Sequence, residues 1–145
     1  MSGLEISFDP ARIDRERAHR WLAEQSHWAR GIARSVFDRS LDHSLVAGAY
    51  AAGAQIGFAR VVTDQATFAY LCDVFVDAAH RGRGIGSVLV AAMIEQPALQ
   101  GLRRIALRTS DAQPLYARFG FTPLATPELW MERYNPDFLR QQASR

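Results

Sequence analysis

Arg81-Gly82-Arg83-Gly84-Ile85-Gly86-Ser87-Val88 sets three glycines between a β-patterned run and a helical one. Glycine reaches positive φ angles and carries no Cβ to hold an anion away from the amide hydrogens. A helix beginning at once adds unpaired N–H groups and the positive end of its dipole. A phosphorylated ligand is therefore expected across Gly82 to Gly86. Two common glycine loops are excluded by the residues themselves. A Walker loop needs a lysine for the terminal phosphates, and all 17 Lys+Arg residues of this chain are arginine. A dinucleotide loop needs a third glycine three residues beyond the second, where this chain has Ser87 in one register and Leu89 in the other.

Downstream of the loop, Ile85, Val88, Leu89, Ala92 and Met93 form one apolar helical stripe, which Pro97 ends. Arg103 to Thr109 alternates Ile105 and Leu107 against Arg104, Ala106 and Arg108, the pattern of a half-exposed strand. Asp111 suits an N-cap, with Pro114 in the first turn and Gly120 as a stop. Phe121 to Leu124 and Leu129 to Tyr134 are expected to form a closing hairpin, and the tail after Pro136 to fray. Upstream, residues 9 to 24 read as a helix, and Gln25 to Asp42 as a second, shorter one with loops, interrupted at Gly31. Leu45 to Tyr50, Gln55 to Val62 and Thr67 to Val76 are β-rich runs whose short connections favour antiparallel hairpins. The order is α α β β β α β α β β, a mixed α+β sheet with antiparallel strands early and a strand-helix-strand crossover late.

With Phe68 to Val76 before it and a helix after it, Arg81-x-x-Gly84-x-Gly86 resembles the acyl-coenzyme A loop of the GNAT N-acetyltransferases. Ala112-x-x-Leu115-Tyr116-x-x-Phe119-Gly120-Phe121 is similar to the family's second cofactor element, an LY-x-x-x-GF-like run. The likeness spans Phe68 to Tyr134, and the N-terminal half matches in pattern only. It implies a mainly antiparallel sheet whose central strands, Phe68 to Val76 and Arg103 to Thr109, splay apart around pantetheine. Acetyl-coenzyme A is the implied acetyl donor. Its pyrophosphate is expected on the amides of Arg83, Gly84, Ile85, Gly86 and Ser87, in the loop that Arg81 opens. The backbone of Val74 and Val76 is expected to pair with pantetheine, and an N–H near Val74 to face the thioester carbonyl. Tyr116 matches the tyrosine that protonates the sulfur. Thr109 stands where many relatives place an asparagine on pantetheine. The implied acceptor is a primary amine of a small molecule or peptide, and relatives are often homodimers.

Two roles stay open at Tyr116, which shares a helical face with Ala112, Leu115 and Phe119 and so also suits packing. Three stay open at Asp73, read as lying on the strand face of Leu71 and Phe75: general base, acceptor-binding anion or structural carboxylate. The glutamate that some relatives carry early in the next strand is Arg104 here. Candidates for the acceptor pocket are Trp28, Arg30, Phe37, Tyr50, Trp130 and Glu132, with Asp38 and Asp42 as further anionic groups for a cationic amine.

A chain of 145 residues fits one domain, residues 1–145, with an ordinary soluble composition. The net charge of +2, with arginines spread along the chain, argues against a nucleic-acid partner. No apolar run approaches the ~20 residues of a membrane span. Met1-Ser2-Gly3-Leu4-Glu5 lacks the basic start and apolar centre of a signal peptide, so a cytoplasmic location is expected. The single cysteine, Cys72, reads as a buried thiol, and the four histidines show no metal-ligand spacing, so no metal is expected. The competing readings are a non-catalytic acyl-coenzyme A-binding regulatory module and, less favoured, a nucleic-acid-associated protein.

Overall fold

The β-rich centre of the chain forms a five-stranded sheet in the computed structural model, which describes residues 3–142. Met1 and Ser2 of the expected leaderless start, and the last three residues of the expected tail, lie outside the described residues. The strands are β1 (Leu4–Ser7), β2 (Leu45–Ala51), β3 (Ala54–Thr63), β4 (Phe68–Val76) and β5 (Arg104–Leu107), and they lie side by side in that order. β1 to β4 are antiparallel, and β5 runs parallel to β4. Tight connections explain the antiparallel part. Ala52 and Gly53 both take positive φ, 51° and 82°, the signature of a two-residue hairpin turn. Asp64 closes the next turn by accepting the amides of Ala66, Thr67 and Phe68.

Helices cover both faces. α1 (Arg15–Arg20) is capped by Asp14, whose carboxylate accepts the Arg17 amide, and runs into a single π-turn over Trp21–Gln25; α2 (Arg34–Asp42) follows. Their buried Trp21, Leu22, Phe37 and Leu41 pack with Val46, Phe58 and Phe75 of the sheet. On the other face, α3 (Ile85–Ile94) buries Leu89, Val90 and Met93 against Ala47, Ala49, Ala59, Val61, Ala69 and Leu71. These small sheet residues let the helix come close. A Cβ on Gly57 would stand 2.9 Å from Leu89 Cδ1 and 3.3 Å from the Phe75 carbonyl oxygen. Gly57→Val is therefore expected to cost about 1–3 kcal/mol by overpacking, read as a fall in Tm, and to lift α3 from the sheet.

One residue decides which face carries what. Arg60 pairs with Asp73 and Val61 with Leu71, so Cys72 has no partner on β3 and bulges. The bulge corrects the expectation that Leu71, Asp73 and Phe75 share a face. Leu71 packs with the α3 layer, whereas Phe75 packs with the α1 and α2 layer, together with Phe58, its partner on β3. Asp73, opposite Arg60, lies on the Phe75 side.

The C-terminal part departs most from expectation. Among the described residues, Phe121 to Leu124 and Leu129 to Tyr134 form no strand, which leaves β5 at the sheet edge. Pro123 removes an amide donor that a hairpin ladder needs, and the chain makes a 3₁₀ turn at Pro127–Leu129 instead. The tail does not end frayed at Pro136: α5 (Phe138–Gln142) follows, and the buried Gln142 accepts the Ala33 amide at 2.9 Å. In addition, β1 is a strand where none was expected, completed by pairing with β2.

Candidate active site

β4 and β5 keep a shared register only from Phe68 opposite Arg104 to Leu71 opposite Leu107. Beyond Leu71, β4 continues to Val76 without a strand partner on that side. A cleft of about 860 Å³ opens there. Tyr70, Cys72 and Val74 line it from β4, Leu107 and Thr109 from β5 and its end, and Tyr116 from α4 (Gln113–Ala117).

The glycine loop lies past the free end of β4. A 3₁₀ turn at Ala78–His80 leads into it, and Gly82 and Gly84 hold φ of 80° and 78°. A Cβ at either would meet no protein atom within 4 Å, so the space in front of the loop is open. Gly84 is the N-cap of α3, and the first helical bond runs from the Val88 amide to the Gly84 carbonyl at 3.1 Å. The amides of Gly84 to Ser87 are thus left without helical acceptors. This cradle fits a diphosphate, and the free edge of β4 fits an extended, amide-bearing arm.

Arg81 supports the loop. Its Nε donates to the Val76 carbonyl at 2.9 Å, and its guanidinium lies 4.9 Å from the Phe75 ring centre. The Val76 carbonyl expected to face pantetheine therefore already accepts one bond. Arg83 is exposed, and Ile85 is buried beneath the helix start. Ser87 Oγ accepts a hydrogen bond from Arg118 at 2.9 Å. Arg118, just beyond α4, thus brings a further cation beside the helix start, a placement that only the folded chain makes visible.

Tyr116 stands edge-on to Phe121, with ring centres 5.9 Å apart, and among the described residues its hydroxyl makes no protein hydrogen bond. Burial pushes its phenol above the ordinary range, and the negative charge of Asp111 adds to the shift. Cys72, half-buried in the same cleft, is likewise pushed up by burial. Thr109 lines the cleft and accepts the Ala112 amide at 3.0 Å; Ala112, and not the expected Asp111, is the N-cap of α4, which has no side-chain cap. Asp111 lines the cleft instead.

Asp73 is 5% exposed, and both its oxygens are engaged: Oδ1 accepts from Trp28 Nε1 and Oδ2 from Arg60 Nε, each at 2.7 Å. Of the acceptor-pocket candidates, only Trp28 lines the cleft. Phe37 and Tyr50 are buried, the latter donating to the Arg12 carbonyl; Arg30 is exposed elsewhere. Trp130 lies against the Arg104 guanidinium, and Glu132 stands 4.0 Å from Arg108. Asp38 and Asp42 are paired with Arg15, and Asp38 also with Arg34. His27, which no sequence pattern singled out, joins Trp28 in the cleft. Among the described residues, no group of three or more His, Cys, Asp or Glu side chains is placed to hold a metal ion, and no helix is long and apolar enough to cross a membrane.

Comparison with known proteins agrees with this geometry. The profile of the acetyltransferase (GNAT) family matches residues 12–121. A Xanthomonas campestris protein assigned to the GNAT family is 47% identical, with a TM-score of 0.92 over 96% of this chain and 98% of its own. A Deinococcus radiodurans structure shares the fold at 20% identity, with a TM-score of 0.68 over 98% of this chain and 93% of its own. A Gibberella zeae protein carrying an acetyltransferase name is 40% identical over 67 residues, which are 44% of this chain and 37% of that relative's length.

Proposed function

Because the chain belongs to the GNAT acetyltransferase family, we propose that it transfers the acetyl group of acetyl-coenzyme A directly to a primary amine of a small molecule or peptide. The observation that carries this reading is the meeting, in one cleft, of the free β4 edge and the Tyr116 hydroxyl, with the open glycine cradle past the end of β4. Acetyl-coenzyme A supplies an activated thioester. The amides of Gly84 to Ser87 bind its diphosphate, with the charges of Arg83 and Arg118 beside them. Arg81 keeps the loop fastened to β4. The edge of β4 at Val74 and Val76 orients the pantetheine arm, with Thr109 on the facing side. The Val74 amide, fixed in a half-dry cleft, holds the carbonyl oxygen as charge builds on it.

Tyr116 delivers a proton to the departing sulfur, and the proton that the attacking free amine sheds on becoming an amide passes to water, from which the phenol is restored. A phenol pushed above its usual range remains protonated at neutral pH. It is a weaker acid than a free phenol, but the same burial that raises the Cys72 thiol also raises the basicity of any other sulfur leaving there. Donor and acceptor are thus shifted in the same direction.

Release of free thiol from acetyl-coenzyme A, followed across a panel of alkyl, aryl and peptide N-terminal amines, tests this directly. Amine-dependent thiol release, with the acetylated amine identified by mass, is the expected result. Tight coenzyme A binding with no release against any amine would point instead to a regulatory module that binds acyl-coenzyme A.

A further inference from the structure

Trp28 is 41% exposed at the cleft, yet it is held from beneath by buried polar groups. Its Nε1 donates to Asp73 Oδ1; the other Asp73 oxygen accepts from Arg60 Nε, and Arg60 donates in turn to Ser44 Oγ at 3.1 Å. The Arg60 and Asp73 side chains are 17% and 6% exposed. The turn that presents the indole is fixed as well. Ser26, 1% exposed, donates to the Leu22 carbonyl at 2.6 Å and accepts the Ala29 amide at 3.0 Å, closing the segment that carries His27 and Trp28.

Core packing does not require a large aromatic ring anchored half outside the protein by a buried ion pair. Resting on the reading of the cleft as an acetyl-transfer site, we infer that Trp28 is the wall against which a cationic acceptor amine docks. Asp73 is the positioning residue that fixes that wall, and not the group that takes the acceptor's proton. With its N–H spent on Asp73, the indole offers the cleft only apolar π surface, which attracts an ammonium group. The charged and titratable side chains that share the cleft lining with it are Asp111, Arg108, His27, Tyr70, Cys72 and Tyr116. Asp111 has no ion pair among the described residues, Arg108 stands near Glu132 at 4.0 Å, and His27 meets Trp28 edge-on with ring centres 5.1 Å apart. Asp111 thus supplies uncompensated negative charge while Arg108 has a carboxylate neighbour, a balance that favours a cation over a carboxylate.

The test uses 2-phenylethylamine as cationic probe and phenylacetate as its anionic counterpart, titrated into the full chain with coenzyme A present and read by calorimetry and tryptophan fluorescence. The amine is expected to bind more tightly than phenylacetate, and Trp28→Leu to weaken amine binding roughly tenfold. Equal amine affinity in Trp28→Leu, preference for phenylacetate, or no amine binding by the native chain overturns the inference. For Asp73, Asp73→Asn is expected to raise the amine KM while the acid limb of the kcat profile stays in place. Trp28→Phe, which keeps an aromatic face but loses the N–H donor and the five-membered ring, should also raise the amine KM with the acid limb in place, and serves if the Asn variant does not fold. Loss of the acid limb with an unchanged KM would make Asp73 the base and overturn its positioning role. If no amine is acetylated yet 2-phenylethylamine still binds through Trp28, the transfer reading fails and the docking wall stands.

Discussion

Tyr116→Phe is expected to lower kcat by about 10²- to 10⁴-fold, the usual worth of a positioned general acid, with acetyl-coenzyme A affinity and Tm almost unchanged. The size of the effect follows from what the hydroxyl does and does not touch. It makes no hydrogen bond to the protein among the described residues, so removing it orphans no partner, and the Phe121 edge contact survives in phenylalanine. The loss is confined to the step in which sulfur departs. The pH dependence has a definite sign. The protonated phenol is the active form, so rate is lost as pH rises through the Tyr116 pKa, and burial together with Asp111 places that pKa above its ordinary value of 10.0. The native enzyme should therefore show no loss from this group across the neutral range, and the Phe variant should be slow throughout. Equal kcat in the two proteins over that range would leave Tyr116 a packing residue.

Gly84→Asp is expected to weaken coenzyme A binding by about 100-fold or more, since a like charge set against a bound one costs several kcal/mol. The substitution meets no clash, and the strain that a left-handed φ puts on any side-chain-bearing residue is shared by Gly84→Asn. No protein atom lies within 4 Å of a Cβ at this position, and aspartate tolerates the left-handed φ of 78° better than most residues. The added carboxylate points into the space that the diphosphate is proposed to fill. Gly84→Asn adds nearly the same bulk without charge, so comparing the two by calorimetry separates repulsion from crowding. Asn is expected to cost markedly less than Asp. Equal affinity in native chain and Asp variant would remove the diphosphate from the loop.

The parts of the molecule governed by local rules were legible before folding. The glycine loop, the stripe of α3 and the hairpins from Leu45 to Val76 each declare themselves within a short window, because positive φ, helical spacing and tight turns are short-range demands. What escaped depends on partners far along the chain. β1 exists through its pairing with Leu45–Ala51, and α5 through the hold of Gln142 on Ala33. The expected closing hairpin is absent because Pro123 lacks the amide that a ladder needs and the connection between the two runs folds into a 3₁₀ turn at Pro127–Leu129. Within the site, Trp28 was a candidate by residue type, but its bond to Asp73 joins positions 45 apart. No periodicity could announce that. Arg118 beside Ser87, 31 positions apart, is hidden for the same reason.

Cys72, the unmatched residue of β4, works as a change of parity. Before it, odd-numbered side chains such as Ala69 and Leu71 enter the α3 layer; after it, Val74 and Val76 do. Its side chain lines the cleft, while its main chain supplies the extra step. Excising that one position would leave Leu71 and Asp73 opposite Val61 and Arg60, on the faces they now hold, but would remove the bend from the strand at the point where its pairing with β5 ends. The extra residue thus contributes curvature, and not orientation, to the strand that borders the cleft.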